Sequence, residues 1–315
     1  MNEFNVQTPP LQSVVFNIAL SPNFEEDGVC FAASTGGLLV SHDGGQTWKQ
    51  HNALLEGQVI TAVALSPSYP QDGRLFVGMP GGILVTSDDG GEWRTAVMPR
   101  ETPQISVITC SPAFADDGIV FVATDGDGVF RSTNQGIAWD ACNFGLLDLS
   151  VISLAVSPAF SDDETLLAGT STGLFRSKNG GRAWREVDMG QEVTVLTVAF
   201  SPNFTTDGLI CVGTEEGMVF RSTDRERTWQ VLGEVAGNWP INAIAVATTE
   251  SGDSLTIIAA GEGLWVWQEA SCQWQSAVMV EEPLCFALLP NASDGEVAAL
   301  AGTTQGTVER RVWRT

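Results

Sequence analysis

The chain is poor in residues that do chemistry. Its 315 residues include two histidines, one tyrosine and six cysteines. His42 and His51 have no partner at the spacing of a metal site or a catalytic triad. The cysteines form no Cys-x-x-Cys pair. Cys30, Cys110, Cys211 and Cys285 fall inside apolar runs, where a free thiol acts as a small hydrophobe. Asp125-Gly126-Asp127-Gly128 offers carboxylate oxygens of the kind calcium takes, but it lacks the further ligands of a calcium loop and reads as a plain β-turn. With 38 acidic residues, no pair of carboxylates stands apart as a general acid and base. No catalytic residue, metal or cofactor is expected. The residue that does stand apart is Trp239, in Gly237-Asn238-Trp239-Pro240. An exposed indole there suits a protein hot spot or a sugar-stacking platform; an indole folded over its own loop suits the sequence equally.

What must position these residues is a repeat. Ser41-His42-Asp43-Gly44-Gly45-Gln46-Thr47-Trp48 returns at Thr86 to Trp93, Ser132 to Trp139, Ser177 to Trp184 and Ser222 to Trp229, and in eroded form at Trp267 to Trp274. The closing tryptophans, Trp48, Trp93, Trp139, Trp184, Trp229 and Trp274, stand 45 or 46 residues apart, so seven periods fill the chain. Within each period four short apolar runs are separated by turn residues: a Ser-Pro turn such as Ser21 to Gly28, a glycine turn, and the boxed turn. That pattern predicts four-stranded antiparallel meanders and an all-β, seven-bladed propeller spanning residues 1–315.

The first strands carry an independent signal. Two positions before the Ser-Pro serine, or at the equivalent place, stand Ala19, Ala64, Thr109, Ala155, Ala199, Ala245 and Ala287. One position further back stand Ile18, Val63, Ile108, Leu154, Val198, Ile244 and Phe286. Small and large residues thus alternate around the ring, as innermost strands require. The last repeat stops short of a fourth strand, and Phe4 precedes the first repeat where other repeats place tryptophan. Residues 1–14 are therefore expected to serve as closing strand and lead-in, completing blade seven and covering its edge.

The motif Ser/Thr-x-Asp-x-Gly-x-Thr-Trp resembles the Asp-box, or BNR repeat, of sialidases, sortilin-type receptor ectodomains, xyloglucan-degrading hydrolases and photosystem II assembly factor-like propellers. The resemblance covers essentially the whole chain and speaks to blade structure, not function. Asp43, Asp88 and Asp224 are suited to accept turn amides, with Asn134 and Asn179 doing so without charge, while the tryptophans anchor the hairpins. Sialidase chemistry implies a tyrosine nucleophile, a glutamate and three arginines. Tyr69, however, takes a packing position filled elsewhere by phenylalanine, and the Phe/Tyr-Arg-Ile-Pro signature is absent. Arg131, Arg176 and Arg221 share one register in successive blades and are expected to pair with acidic neighbours. The two-propeller cleft implied by the xyloglucan hydrolases does not fit a single propeller.

The formal net charge of -23 opposes nucleic-acid binding and favours partners with basic surface. No apolar run is long enough for a membrane helix, and the N-terminus lacks the features of a signal peptide. Reduced thiols agree with a cytoplasmic location. The expectation is a monomeric, non-enzymatic scaffold or assembly factor that binds a protein partner. The alternative is a carbohydrate-binding propeller or degenerate glycoside hydrolase. In a four-strand meander the Ser-Pro turns and boxes share one uniform face, and the other loops share a variable one. The expected partner-binding residues lie on the variable face: Arg100, Asp125, Asp127, Glu215, Glu216, Asn238 and Trp239.

Overall fold

A computed structural model describes residues 13–99, 104–233, 235, 237–248, 254–290 and 296–314. Six four-stranded antiparallel sheets and one three-stranded sheet follow one another along the chain, each with its strands in sequence order. Blade 1 consists of Val15–Leu20, Cys30–Ser34, Gly37–Ser41 and Lys49–Gln50; blade 7 of Pro283–Leu289, Glu296–Thr303 and Val308–Arg314. The protein is a seven-bladed β-propeller. The segment expected to complete blade 7 lies outside the described residues, as does Arg100.

The innermost strand of each blade packs against that of the next, and blade 7 packs against blade 1. The Cys285 thiol lies 3.7 Å from the Val15 carbonyl oxygen at this closing seam. The core lies between blades, not within them. Each apolar cluster joins two neighbours: Phe76 and Val122 across blades 2 and 3, Val15 and Leu300 across blades 1 and 7. Second strands such as Cys30–Ser34 are consequently buried on both faces, which is why they read as continuous apolar runs. Outer strands such as Arg94–Thr95 are exposed. In the first strands of blades 1, 3 and 4, Ile18, Ile108 and Leu154 are buried while Ala19, Thr109 and Ala155 beside them are partly accessible.

The Ser-Pro turns hold a detail too short for any sequence period to reveal. Each contains one helical turn, Phe24–Asp27 in blade 1, ended by a left-handed residue such as Gly28. The Ser21 hydroxyl donates to Asp27 at 2.6 Å, and the same clamp recurs from Ser111 to Asp117 and from Ser201 to Asp207. The Ser-Pro turn and the box of one blade are tied by a backbone bond, Gly44 N to Gly28 O at 3.0 Å in blade 1 and Gln135 N to Gly118 O at 2.9 Å in blade 3. The two turns therefore share a face.

Candidate functional site

The boxed face is built for structure. Asp43 Oδ1 accepts the amides of Gln46 and Thr47 at 3.0 and 2.9 Å, and its Oδ2 accepts the Thr47 hydroxyl at 2.6 Å. Asp224 repeats this with Arg227 and Thr228. The Thr228 hydroxyl and amide hold the Asp224 carboxyl down at about 2. Asp88 accepts the Glu92 amide. Asn134 and Asn179 accept the amides of Ala138 and Ala183, both at 2.9 Å, where no threonine hydroxyl is present to require a second carboxylate oxygen. The tryptophans vary in role. Trp139 donates to Gly136 of its own turn, whereas Trp184 donates to Cys142 of the preceding blade. Trp48 also donates within its turn, and the indole nitrogens of Trp93 and Trp229 are buried without a described partner.

The chemically suggestive residues resolve into packing. His51 stacks edge-on against Phe31, with ring centroids 5.1 Å apart, beneath the Gly90 backbone. Burial holds its imidazole below the ordinary value. Tyr69 is buried, and its hydroxyl donates to Asp89, tying the Ser-Pro turn of blade 2 to the box. Arg176 pairs with Glu226 and Arg221 with Glu269, while Arg131 lies 6.0 Å from the Phe121 ring centroid. The three arginines thus serve three separate blade interfaces and do not converge. Among the described residues no three His, Cys, Asp or Glu side chains form a metal cluster.

The opposite face is different. Asn238 takes a left-handed backbone at φ 49° and turns the chain so that Trp239 lies over Gly261. A Cβ on Gly261 would sit 2.5 Å from the indole Cδ1, and one on Gly237 would sit 2.3 Å from Nε1, so the two glycines make the seat on which the ring rests. The remaining 47% of Trp239 is accessible. The indole folds over its own loop and still presents a surface. A Cβ on Gly217 would sit 3.0 Å from the Asn238 and Trp239 backbone, so the structure brings Glu215 and Glu216 beside that loop. Glu216 also accepts the Thr194 amide. Asp125 and Asp127 lie in blade 3, two blades from the Glu215–Glu216 turn, and belong to a separate region of the face.

Trp239 stands at the edge of a cavity of about 720 Å³ over blades 6 and 7, lined also by Glu262, Met279, Glu281, Glu282 and Arg311. Thr304 donates its hydroxyl to Glu282, and Arg311 pairs with Glu309. This arrangement offers charge and apolar contact, a chemistry of recognition. Sequence reasoning missed Met279 here; Phe144 and Leu147, both 80% exposed, lie in the variable loop from blade 3 to blade 4.

This repeated box on a ring of antiparallel blades defines the class: the chain is a BNR-type, Asp-box β-propeller. The family model described as photosynthesis system II assembly factor YCF48 matches residues 1–145. A search of curated proteins finds no match. Among solved structures, YCF48 bound to D1 peptide is similar at a TM-score of 0.69 and 16% identity, over 98% of this chain and 95% of that one. YCF48 from Cyanidioschyzon merolae is similar at 0.67 and 16%, over 97% and 96%. An ancestral GH74 enzyme is similar at 0.74 and 18%, over 97% of this chain, which spans only 46% of that enzyme's length. At these identities the likeness is one of fold. No helix among the described residues is long and apolar enough to cross a membrane.

Proposed function

We propose that the protein is a non-enzymatic scaffold or assembly factor that binds a protein partner through the face opposite the Asp boxes. The observation that carries this reading is Trp239, held on two glycines with nearly half its surface accessible at the edge of a cavity. A rigid, partly exposed indole is the kind of anchor that dominates protein interfaces. Support comes from the partial match to the YCF48 model and from a similarly folded YCF48 solved with a peptide bound. The acidic surface favours a basic partner, and the chain itself acts as a monomer in the cytoplasm without inserting into membranes.

The test is affinity capture from extract of the source organism, followed by mass spectrometry. Baits are the intact protein and a Trp239→Ala/Glu215→Gln/Glu216→Gln variant. A stoichiometric protein retained only by the intact bait supports the reading. Capture of no specific protein, together with glycan binding lost on Trp239→Ala, replaces it with carbohydrate recognition.

A further inference from the structure

We infer that the cavity over blades 6 and 7 receives a peptide segment carrying a lysine or arginine beside an apolar side chain. The inference rests on the scaffold reading and gives its partner a chemistry. A volume of about 720 Å³ holds several side chains, within the range of small-ligand sites.

The walls differ in kind. Trp239 offers one free indole surface, its position fixed by Gly237 and Gly261, so ordering it on binding costs little entropy. Met279, 60% exposed at the end of its strand, adds a flexible apolar contact that adapts to different side chains. Between and beside them stand Glu262, Glu281 and Glu282, none of which makes an ion pair among the described residues. Glu282 accepts the Thr304 hydroxyl, a neutral donor that brings no compensating positive charge. Among the described residues the one cation in the lining, Arg311, is matched by Glu309.

The cavity therefore carries uncompensated negative charge next to an accessible aromatic surface. Acidic residues alone would be an ordinary solvated face. Together with Trp239 and Met279 they complement a cation on an apolar stem, and the aromatic face adds cation–π attraction. A nucleic acid or an acidic peptide would meet repulsion at the same place.

The test uses the full-length protein and three fluorescein-labelled nonapeptides, alike in Gly-Ser flanks, with Leu-Arg-Leu, Leu-Gln-Leu or Leu-Glu-Leu at the centre. Fluorescence anisotropy should give a Kd about tenfold lower for the arginine peptide than for the glutamate peptide. The difference should shrink as salt rises from about 50 to about 200 mM. Trp239→Ala should weaken the arginine peptide about tenfold, and Glu281→Lys/Glu282→Lys should abolish its advantage. A Glu26→Lys/Asp116→Lys variant makes the same change in net charge on the boxed face and should leave binding unchanged. Equal binding of the three peptides, or equal loss in the two lysine variants, overturns the inference. It also falls if Glu281→Lys/Glu282→Lys still captures the partner that the Trp239→Ala/Glu215→Gln/Glu216→Gln variant loses, and the scaffold reading then stands without it.

Discussion

Arg176, in blade 4, places Nη1 2.5 Å from Oε2 of Glu226 in the box of blade 5, where the Glu226 side chain is only 2% exposed. Glu226 occupies the place held by Gly136 and Gly181 in other boxes, at φ 67°. The preceding interface solves the same problem differently. There Gly181 approaches Phe121, and Arg131 lies near the same ring. In blade 4 the residue across from Arg176 is Leu167, smaller than phenylalanine, and the Glu226 carboxylate meets the arginine. Glycine with phenylalanine and glutamate with leucine are thus two complete sets. Leu167→Phe alone crowds Glu226, and Glu226→Gly alone leaves a half-buried Arg176 unpaired. Each should cost about 2–3 kcal/mol. The double variant should lie within about 1 kcal/mol of the native protein. Chemical denaturation of all four proteins measures the coupling; additive losses would refute it.

Gly136→Ala probes the same contact without charge. The added methyl would stand 2.4 Å from Phe76 Cε1, a fully buried ring, and φ is +82°. A loss of about 3 kcal/mol is expected from overpacking and backbone strain together. At Gly57, with similar φ but open space around it, alanine should cost only the backbone share, about 1 kcal/mol.

The Asp and Asn boxes can be exchanged as units. Asn134→Asp with Ala138→Thr should recreate the hydroxyl-to-carboxylate bond of Asp43 and Thr47, and add about 0.5–1 kcal/mol of stability. Asn134→Asp alone brings a charge without the hydroxyl and should gain less. Thermal unfolding of the pair against the single variants decides it.

His51 sets a pH response. Burial depresses its folded value below the ordinary 6.5, against a smaller opposing pull from Asp89. A depressed base contributes stability that is present above the unfolded value and is lost as pH falls through it. Denaturant midpoints should therefore decline as pH drops from about 7 to about 5, and His51→Gln should flatten that decline. An unchanged slope in the variant would exclude His51 as its source.

The ring was legible because its signals repeat. Tryptophan spacing set the blade period, and the Ile18 and Ala19 positions identified the innermost strands seven times over. The helical turn at Phe24–Asp27 was not, since four residues cannot display a helical period. Nor was the Glu226–Arg176 pair, which couples residues 50 apart through an interface that local pattern cannot see. At the candidate site the sequence singled out Trp239 because it breaks the repeat. It could not find the seat at Gly261, because glycine at a turn looks the same whether it faces solvent or an indole. Met279 went unseen because it closes an ordinary strand.

The clusters that straddle neighbouring blades have a consequence for where this chain can be cut. No blade owns the greasy surface that stabilises it, so losing any one would strip two neighbours at once and open the circle. Moving the termini loses no such contact. A permuted chain with its original ends linked and new ends at Gln191 and Glu192, an exposed connection between blades 4 and 5, should keep the circle whole. Such a molecule should melt as one unit, because each blade shares its core with both neighbours.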